Sequence, residues 1–223
     1  MREVHDLGLA HGAMRNALAN GTRALERVSN HLARLIGIGV NLAKEKDRKK
    51  LLSAVLDAAR EIAGAQAAIL FLRDDDNFLR PVATLGRDPP QLVPVLDMNL
   101  PELQRESLAV YTALKGVISV VDDLDNDARE EVALLRRYNQ QDSSIRAQTV
   151  VSLPLQTADR VIGVMQVFNA QDADSDQISP FSPSQITYLE SLAAQATVAL
   201  ENQKLIAAQT HLLDTLVRTL GDA

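Results

Sequence analysis

Apolar residues recur at every seventh position through the C-terminal part of the chain. Leu192, Ala199, Ile206, Leu213 and Leu220 form one series, and Leu189, Ala196 and Val217 form the other, in which Gln203 and Thr210 are polar. This repeat predicts a single helix from Ser182 to about Leu220, roughly 55 Å long at 1.5 Å per residue. Its start is marked by Ser182 as cap, Gln185 closing a capping box, and Pro183 at the first helical position, where a missing N–H costs nothing. Phe181 and Ile186 are placed to form a hydrophobic staple. A rod of this length exceeds what the rest of the chain can bury, so the pattern implies a partner helix.

Ahead of this helix, the pattern alternates between helical and strand periods. Residues 1–46 read as a helical extension with a seam at Leu25, Val28, Leu32 and Leu35, loosened by Gly21, Gly37 and Gly39. From Asp47 to Ala63, residues Leu51, Leu52, Val55, Leu56, Ala59 and Ile62 share one face, with Asp47 as cap and Gly64 as stop. Ala67 to Leu72 is apolar on both faces, so this strand must be covered on both sides. Arg73 to Asn77 is turn chemistry, and Phe78 to Leu85 is the returning strand. A short strand is predicted over Leu92–Met98, a helix over Glu102–Lys115 ended by Gly116, a strand over Val117–Val121, and a helix over Asp127–Asn139. Thr149–Leu155 and Arg160–Phe168 form the clearest strand pair, apolar on both faces and therefore placed at the sheet's centre. Because hairpin-type connections predominate, the sheet should be largely antiparallel, with helices on both faces.

Composition narrows the chemistry. A formal charge of −6 argues against a general basic field for nucleic acid or anionic lipid. The chain has no cysteine, which removes disulfides, thiolate metal sites and thioether-linked chromophores. No apolar run is long enough to span a bilayer and no signal peptide is evident, so a soluble, cytoplasmic chain is expected. All four histidines (His5, His11, His31 and His211) fall on the flanking helices, leaving none in the core as base, metal ligand or haem ligand. The acidic triplet Asp74–Asp76 reads as a hairpin tip. Asp172 to Asp176 opens like a calcium loop but has Gln177 at the sixth position and Pro183 at the twelfth, so no metal is expected. No cofactor and no enzyme activity are expected from this chain.

Several local phrases, taken with the element order, resemble the GAF family of small-molecule sensor domains over residues 47–203. These are Leu51 to Ile62 before an apolar strand, Gly116 to Asp122, Ser152 to Leu155 followed by Val161 to Asn169, and Phe181 to Gln195. The resemblance implies an α+β fold, an α/β/α sandwich with a central, largely antiparallel sheet of about five or six strands. Long N- and C-terminal helices would dimerise, with residues 204–223 as a coiled-coil linker helix cut from a longer protein. It further implies a ligand site between the sheet and the mid-domain helices. Carried over by position, the lining is Leu85, Leu108, Ala109, Tyr111, Gln140, Ser143 and Ala147, with Arg136, Arg137 and Arg146 nearby as surface groups or as a charge for the site.

The cyclic-nucleotide-binding subgroup pairs a Lys with an Asp. Here Asn169 and Phe181 match its motif, but Ala170 replaces the Lys, and Gln185 and Ile186 replace the Asp-Glu pair. Residues 213–223 resemble the lead-in helix of proteins in which a GAF domain precedes an HD-GYP cyclic-di-GMP phosphodiesterase. The function implied is a dimeric regulatory sensor that relays occupancy by an unknown small molecule to an output domain. A structural module that binds no ligand and a cyclic-nucleotide-binding GAF domain stand as alternatives. An empty cavity beside Leu108 and Ser143 favours the sensor, and a packed core there favours the structural module.

Overall fold

A computed structural model describes residues 36–86, 94–141, 146–171 and 176–221. The chain divides into two compact units between Val40 and Asn41. The unit from Asn41 onward carries the sheet and all of the features below. Residues 36–44 are helical (α1). The predicted N-terminal seam from Leu25 to Leu35 lies outside the described residues.

The next helix, α2 (Arg48–Ala63), begins where the sequence places it. The Asp47 carboxylate accepts from the amides of Lys49 and Lys50, and Gly64 closes the helix in the left-handed region at φ 60°. Two long strands follow, β1 (Ala65–Arg73) and β2 (Phe78–Gly86). In the turn between them, Asp74 accepts from the amides of Asp76 and Phe78 and pairs with Arg80 at 2.6 Å. These amides, that of Phe78 first, and then Arg80 hold the Asp74 carboxyl below its usual range. The acidic triplet is thus turn chemistry, and among the described residues no group of three acids, histidines or cysteines could hold a metal.

Three expectations for the middle of the chain are corrected. The strand at Leu92–Met98 is only β3 (Leu96–Asp97), with residues 87–93 outside the described set. The helix at Glu102–Lys115 is two helices, α3 (Pro101–Glu106) and α4 (Leu108–Lys115). They break at Ser107, which is extended and caps the second helix through the Val110 amide. After β4 (Ser119–Val121), the helix expected from Asp127 starts later, as a short 3-10 turn at Glu130–Val132 running into α5 (Ala133–Gln141). Asp127 is instead held by the Arg129 guanidinium at 2.5 Å, which keeps its carboxyl below the ordinary range.

The hairpin β5 (Val150–Gln156) and β6 (Val161–Ala170) leads to the long α6 (Pro183–Gly221). The six strands run in the order β3-β2-β1-β6-β5-β4, and every pairing is antiparallel. β1 and β6 are central, so their sequences are apolar on both faces. Their backbones approach closely at Gly163, where a Cβ would lie 2.3 Å from the Phe71 carbonyl oxygen, a contact that only glycine permits. α2 and α6 pack together over one face of the sheet, and α3, α4 and α5 cover the other.

The capping box at the start of α6 forms as the spacing predicts. The Ser182 amide donates to Gln185 Oε1 at 2.8 Å, and the Gln185 amide donates back to Ser182 Oγ. Gln185 Nε2 also donates to the Ala63 carbonyl at 2.8 Å, tying the start of α6 to the end of α2. Leu189, Leu192, Ala196 and Ala199 are buried, whereas Leu205, Ile206, Leu212, Leu213 and Val217 are exposed, Leu213 by 61% and Val217 by 70%.

Candidate functional site

The sheet face beneath α4 is built from alternate residues of the central strands. The register places Ile69, Gln166 and Ser152 side by side, flanked by Phe71, Val164 and Pro154 on one side and Ala67, Phe168 and Val150 on the other. Ser119 of β4 extends the middle row opposite Ser152. A buried polar row therefore crosses an otherwise apolar surface. α4 answers it with Thr112, whose hydroxyl donates to Ser152 Oγ at 2.9 Å, while Gln166 Nε2 donates to the same oxygen at 3.3 Å. Hydrogen bonds are what make these buried polar groups tolerable.

Of the seven lining positions named from the sequence, three come together. Leu108, Ala109 and Ala147 are buried in one cluster with Val110, Ala113, Val121 and Val132, and Leu108 is only 1% exposed. Tyr111 is half-buried and Gln140 is exposed. Leu85 pairs with Ala68, not with Ala67 or Ile69, so it lies on the α2 side of the sheet, away from α4. Ser143 lies outside the described residues. A one-residue difference in register turns a strand side chain to the other face, which is why positional carry-over misplaces Leu85.

The three nearby arginines are occupied elsewhere. Arg136 donates to the carbonyls of Asp127 and Arg129, Arg137 pairs with Glu106 at 2.5 Å, and Arg146 pairs with Asp125 at 2.6 Å.

Two amides escaped the sequence reading as structural devices. Asn169 is fully buried at φ 57°, a left-handed conformation that asparagine tolerates. Its Oδ1 accepts from the amides of Gln148 and Thr149, and its Nδ2 donates to Gln66 Oε1 and the Arg146 carbonyl. Three of these four bonds fasten the segment before β5, and the fourth ties it to β1. Asn139 makes a matching pair with the main chain of Ala147, at 2.7 and 3.0 Å. The available signal was polarity out of place, since Gln166 and Asn169 interrupt an apolar strand and Ser152 does the same in its partner.

Ala170 and Gln185, which stand where the cyclic-nucleotide subgroup has its ion pair, are respectively buried and engaged in the α6 cap. His211 sits on the exposed far half of α6.

The architecture is a six-stranded antiparallel sheet between a helix pair and a set of short helices. The family model described as "GAF domain" matches residues 45–201, so the chain belongs to the GAF family. No curated protein matches it. Among solved structures it is similar to the GAF domain of a phosphoenolpyruvate-protein phosphotransferase from Coxiella burnetii, with 16% identity and a TM-score of 0.62 over 81% of this chain and 98% of that one. It is also similar to residues 122 to 287 of a methyl-accepting chemotaxis protein (19%, TM-score 0.59, 76% and 98%). A third similar structure is the free methionine-R-sulfoxide reductase from Neisseria meningitidis (20%, TM-score 0.58, 77% and 89%). At these identities the likeness concerns the fold. GAF domains are regulatory sensor domains of signalling proteins. No helix among the described residues is long and apolar enough to cross a membrane.

Proposed function

We propose that this chain is a regulatory GAF module that pairs with a second copy through the far half of α6 and passes the state of the domain along that helix to an output domain. The observation that carries the reading is the exposed stripe of Leu205, Ile206, Leu212, Leu213 and Val217, continuous in one helix with a buried half. Pairs of large aliphatic residues recurring at seven-residue spacing suit a helix–helix seam and are costly to leave in water. The similarity of residues 213–223 to HD-GYP lead-in helices makes a cyclic-di-GMP phosphodiesterase the candidate output.

The ligand, in this reading, is a small molecule taken up beneath α4. Leu108, Ala109 and Ala147 would give it an apolar wall, and Thr112, Ser152 and Gln166 would orient it by hydrogen bonds. The close packing of Leu108 and Ala109 favours a second reading, a module that dimerises and spaces its neighbours without a ligand at this face. Both readings share the dimer.

Light scattering tests it. The full chain should be a dimer at tens of micromolar, and Ile206→Asp with Leu213→Asp should give a monomer that melts like the wild-type monomer unit. A full chain that is monomeric at that concentration would overturn the reading.

A further inference from the structure

At the base of the domain, away from α4, the start of α2, the β1–β2 turn, the start of β6 and the middle of α6 surround a cleft of about 370 Å³. It shares no residue with the row of Thr112, Ser152 and Gln166. Its volume lies within the range of small-molecule sites.

The charges around it do not cancel locally. Arg48, Arg73, Arg160 and Lys204 line it, against Asp74, Asp75 and Glu201. Asp74 is already held by Arg80, which is outside the lining, and Glu201 faces Arg160 at 3.8 Å. Among the described residues the Arg73 guanidinium bonds only the neutral Asn77 Oδ1, at 2.6 and 3.1 Å. Arg48 and Lys204 make no hydrogen bond or ion pair among the described residues. Three cations thus face one free carboxylate, that of Asp75, on a chain whose formal charge is −6. A concave surface of this sign concentrates anions.

An independent observation comes from Gln203. Its Nε2 donates to the Glu45 carbonyl at 2.9 Å, so the amide cannot flip without placing two acceptors together. The orientation leaves Gln203 Oε1 buried without a donor, and Gln203 is one of the residues that line the cleft. A buried acceptor without a donor is unfavourable, and a ligand O–H would satisfy it. Leu72, Ile162 and Leu200 supply an apolar floor for a carbon skeleton.

We propose that this cleft binds a small hydroxylated dianion, the chemistry shared by sugar phosphates and hydroxy-polycarboxylates, through Arg48, Arg73 and Lys204 with a hydroxyl donated to Gln203. The site is separate from the face beneath α4 and does not rest on the dimer. Lys204 does, however, immediately precede the exposed stripe of α6, so occupancy acts where that helix leaves the domain.

Calorimetry on the full chain at low ionic strength tests this with ribose 5-phosphate and citrate as the two sources, and with ribose and inorganic phosphate as controls. One equivalent of ribose 5-phosphate or citrate should bind saturably, ribose should not bind, and inorganic phosphate should bind more weakly. Arg48→Ala and Lys204→Ala, both at exposed side chains, should each weaken binding about tenfold without changing the melting temperature. Amide and guanidinium NMR shifts should move at Gln203 and Arg73. The proposal is overturned if neither anion binds at millimolar concentration, if affinity survives the double variant, or if the shifts move beneath α4 instead. Equal affinity for inorganic phosphate would overturn the hydroxyl contact to Gln203. Light scattering on the same samples reads the dimer separately, so the two readings can fail independently.

Discussion

Leu189, Leu192, Ala193, Ala196, Ala199 and Leu200 of α6 lie against the sheet and α2, while from Leu205 to Val217 residues of the same repeat face outward. The two halves share a period, a composition and one uninterrupted backbone. They differ in what stands opposite them. Periodicity identifies the face of a helix that is to be covered, and the covering partner has to be sought case by case. In the first half it is the helix's own domain. In the second half no described residue covers that face, and the dimer is our proposal for the partner.

The comparison breaks most visibly under truncation of single leucines. Leu192 is 0% exposed, and Leu192→Ala should cost about 2–5 kcal/mol in urea unfolding, through lost burial and the cavity left behind. Leu213→Ala should leave the stability of the monomer within about 0.5 kcal/mol and act on association alone. Equal losses at both positions would mean that the far half is covered within the monomer.

A second test moves to the opposite face of the sheet. Ala109 is buried in the cluster beneath α4, and Ala109→Trp should lower stability by about 1–3 kcal/mol through overpacking. Unchanged melting would instead show that this face has room for a ligand.

A smaller effect is expected at the joint between the buried half and the rest. Ser182→Ala removes the cap and should cost about 1 kcal/mol by equilibrium unfolding. Wild-type stability would mean that the Gln185 bond to Ala63 holds the helix start by itself.

The smallest effect lies in the loop between β4 and α5. The Asp127 carboxyl is lowered chiefly by its bond to Arg129, so the stability it contributes is present above the unfolded carboxyl value of 3.8 and is lost as pH falls through the lower folded value. Arg129 is partly exposed, and screening limits the contribution to under about 1 kcal/mol. Asp127→Asn should be less stable than wild type at neutral pH, and the two should converge in acid. A difference that persists undiminished in strong acid would assign the effect to something other than this ion pair.

The outer elements were the most legible. α2, β1, β2, β5, β6 and α6 follow from periodicity and from local signals such as Asp47, Gly64 and the Ser182–Gln185 box, whose partners are close in sequence. The middle was less so. Ser107 breaks a helix that apolar spacing would have continued, and Asp127, where the sequence predicts a helix start, is held in the preceding loop by Arg129. Both outcomes depend on competition between nearly equivalent local bonds. The candidate lining was the least legible because it depends on which side of a strand a residue faces. Leu85 lost its place to a register set by β1, and Gln140 to the phase of α5. Thr112, Ser152 and Gln166 meet only through pairing across the sheet and α4, which no stretch of sequence contains.

The Gln185 bond to Ala63 has a mechanical consequence. It pins the foot of α6 to the end of α2, so the helix has a fixed fulcrum near the sheet and, beyond Lys204, an arm that no described residue covers. That arm, from Lys204 to Gly221, is about 27 Å long at 1.5 Å per residue. A tilt of about 11° at its root carries the tip through about 5 Å, close to the 5.4 Å pitch of one helical turn. Small repacking at the base therefore becomes, at the far end, a displacement as large as a one-turn slip between paired helices.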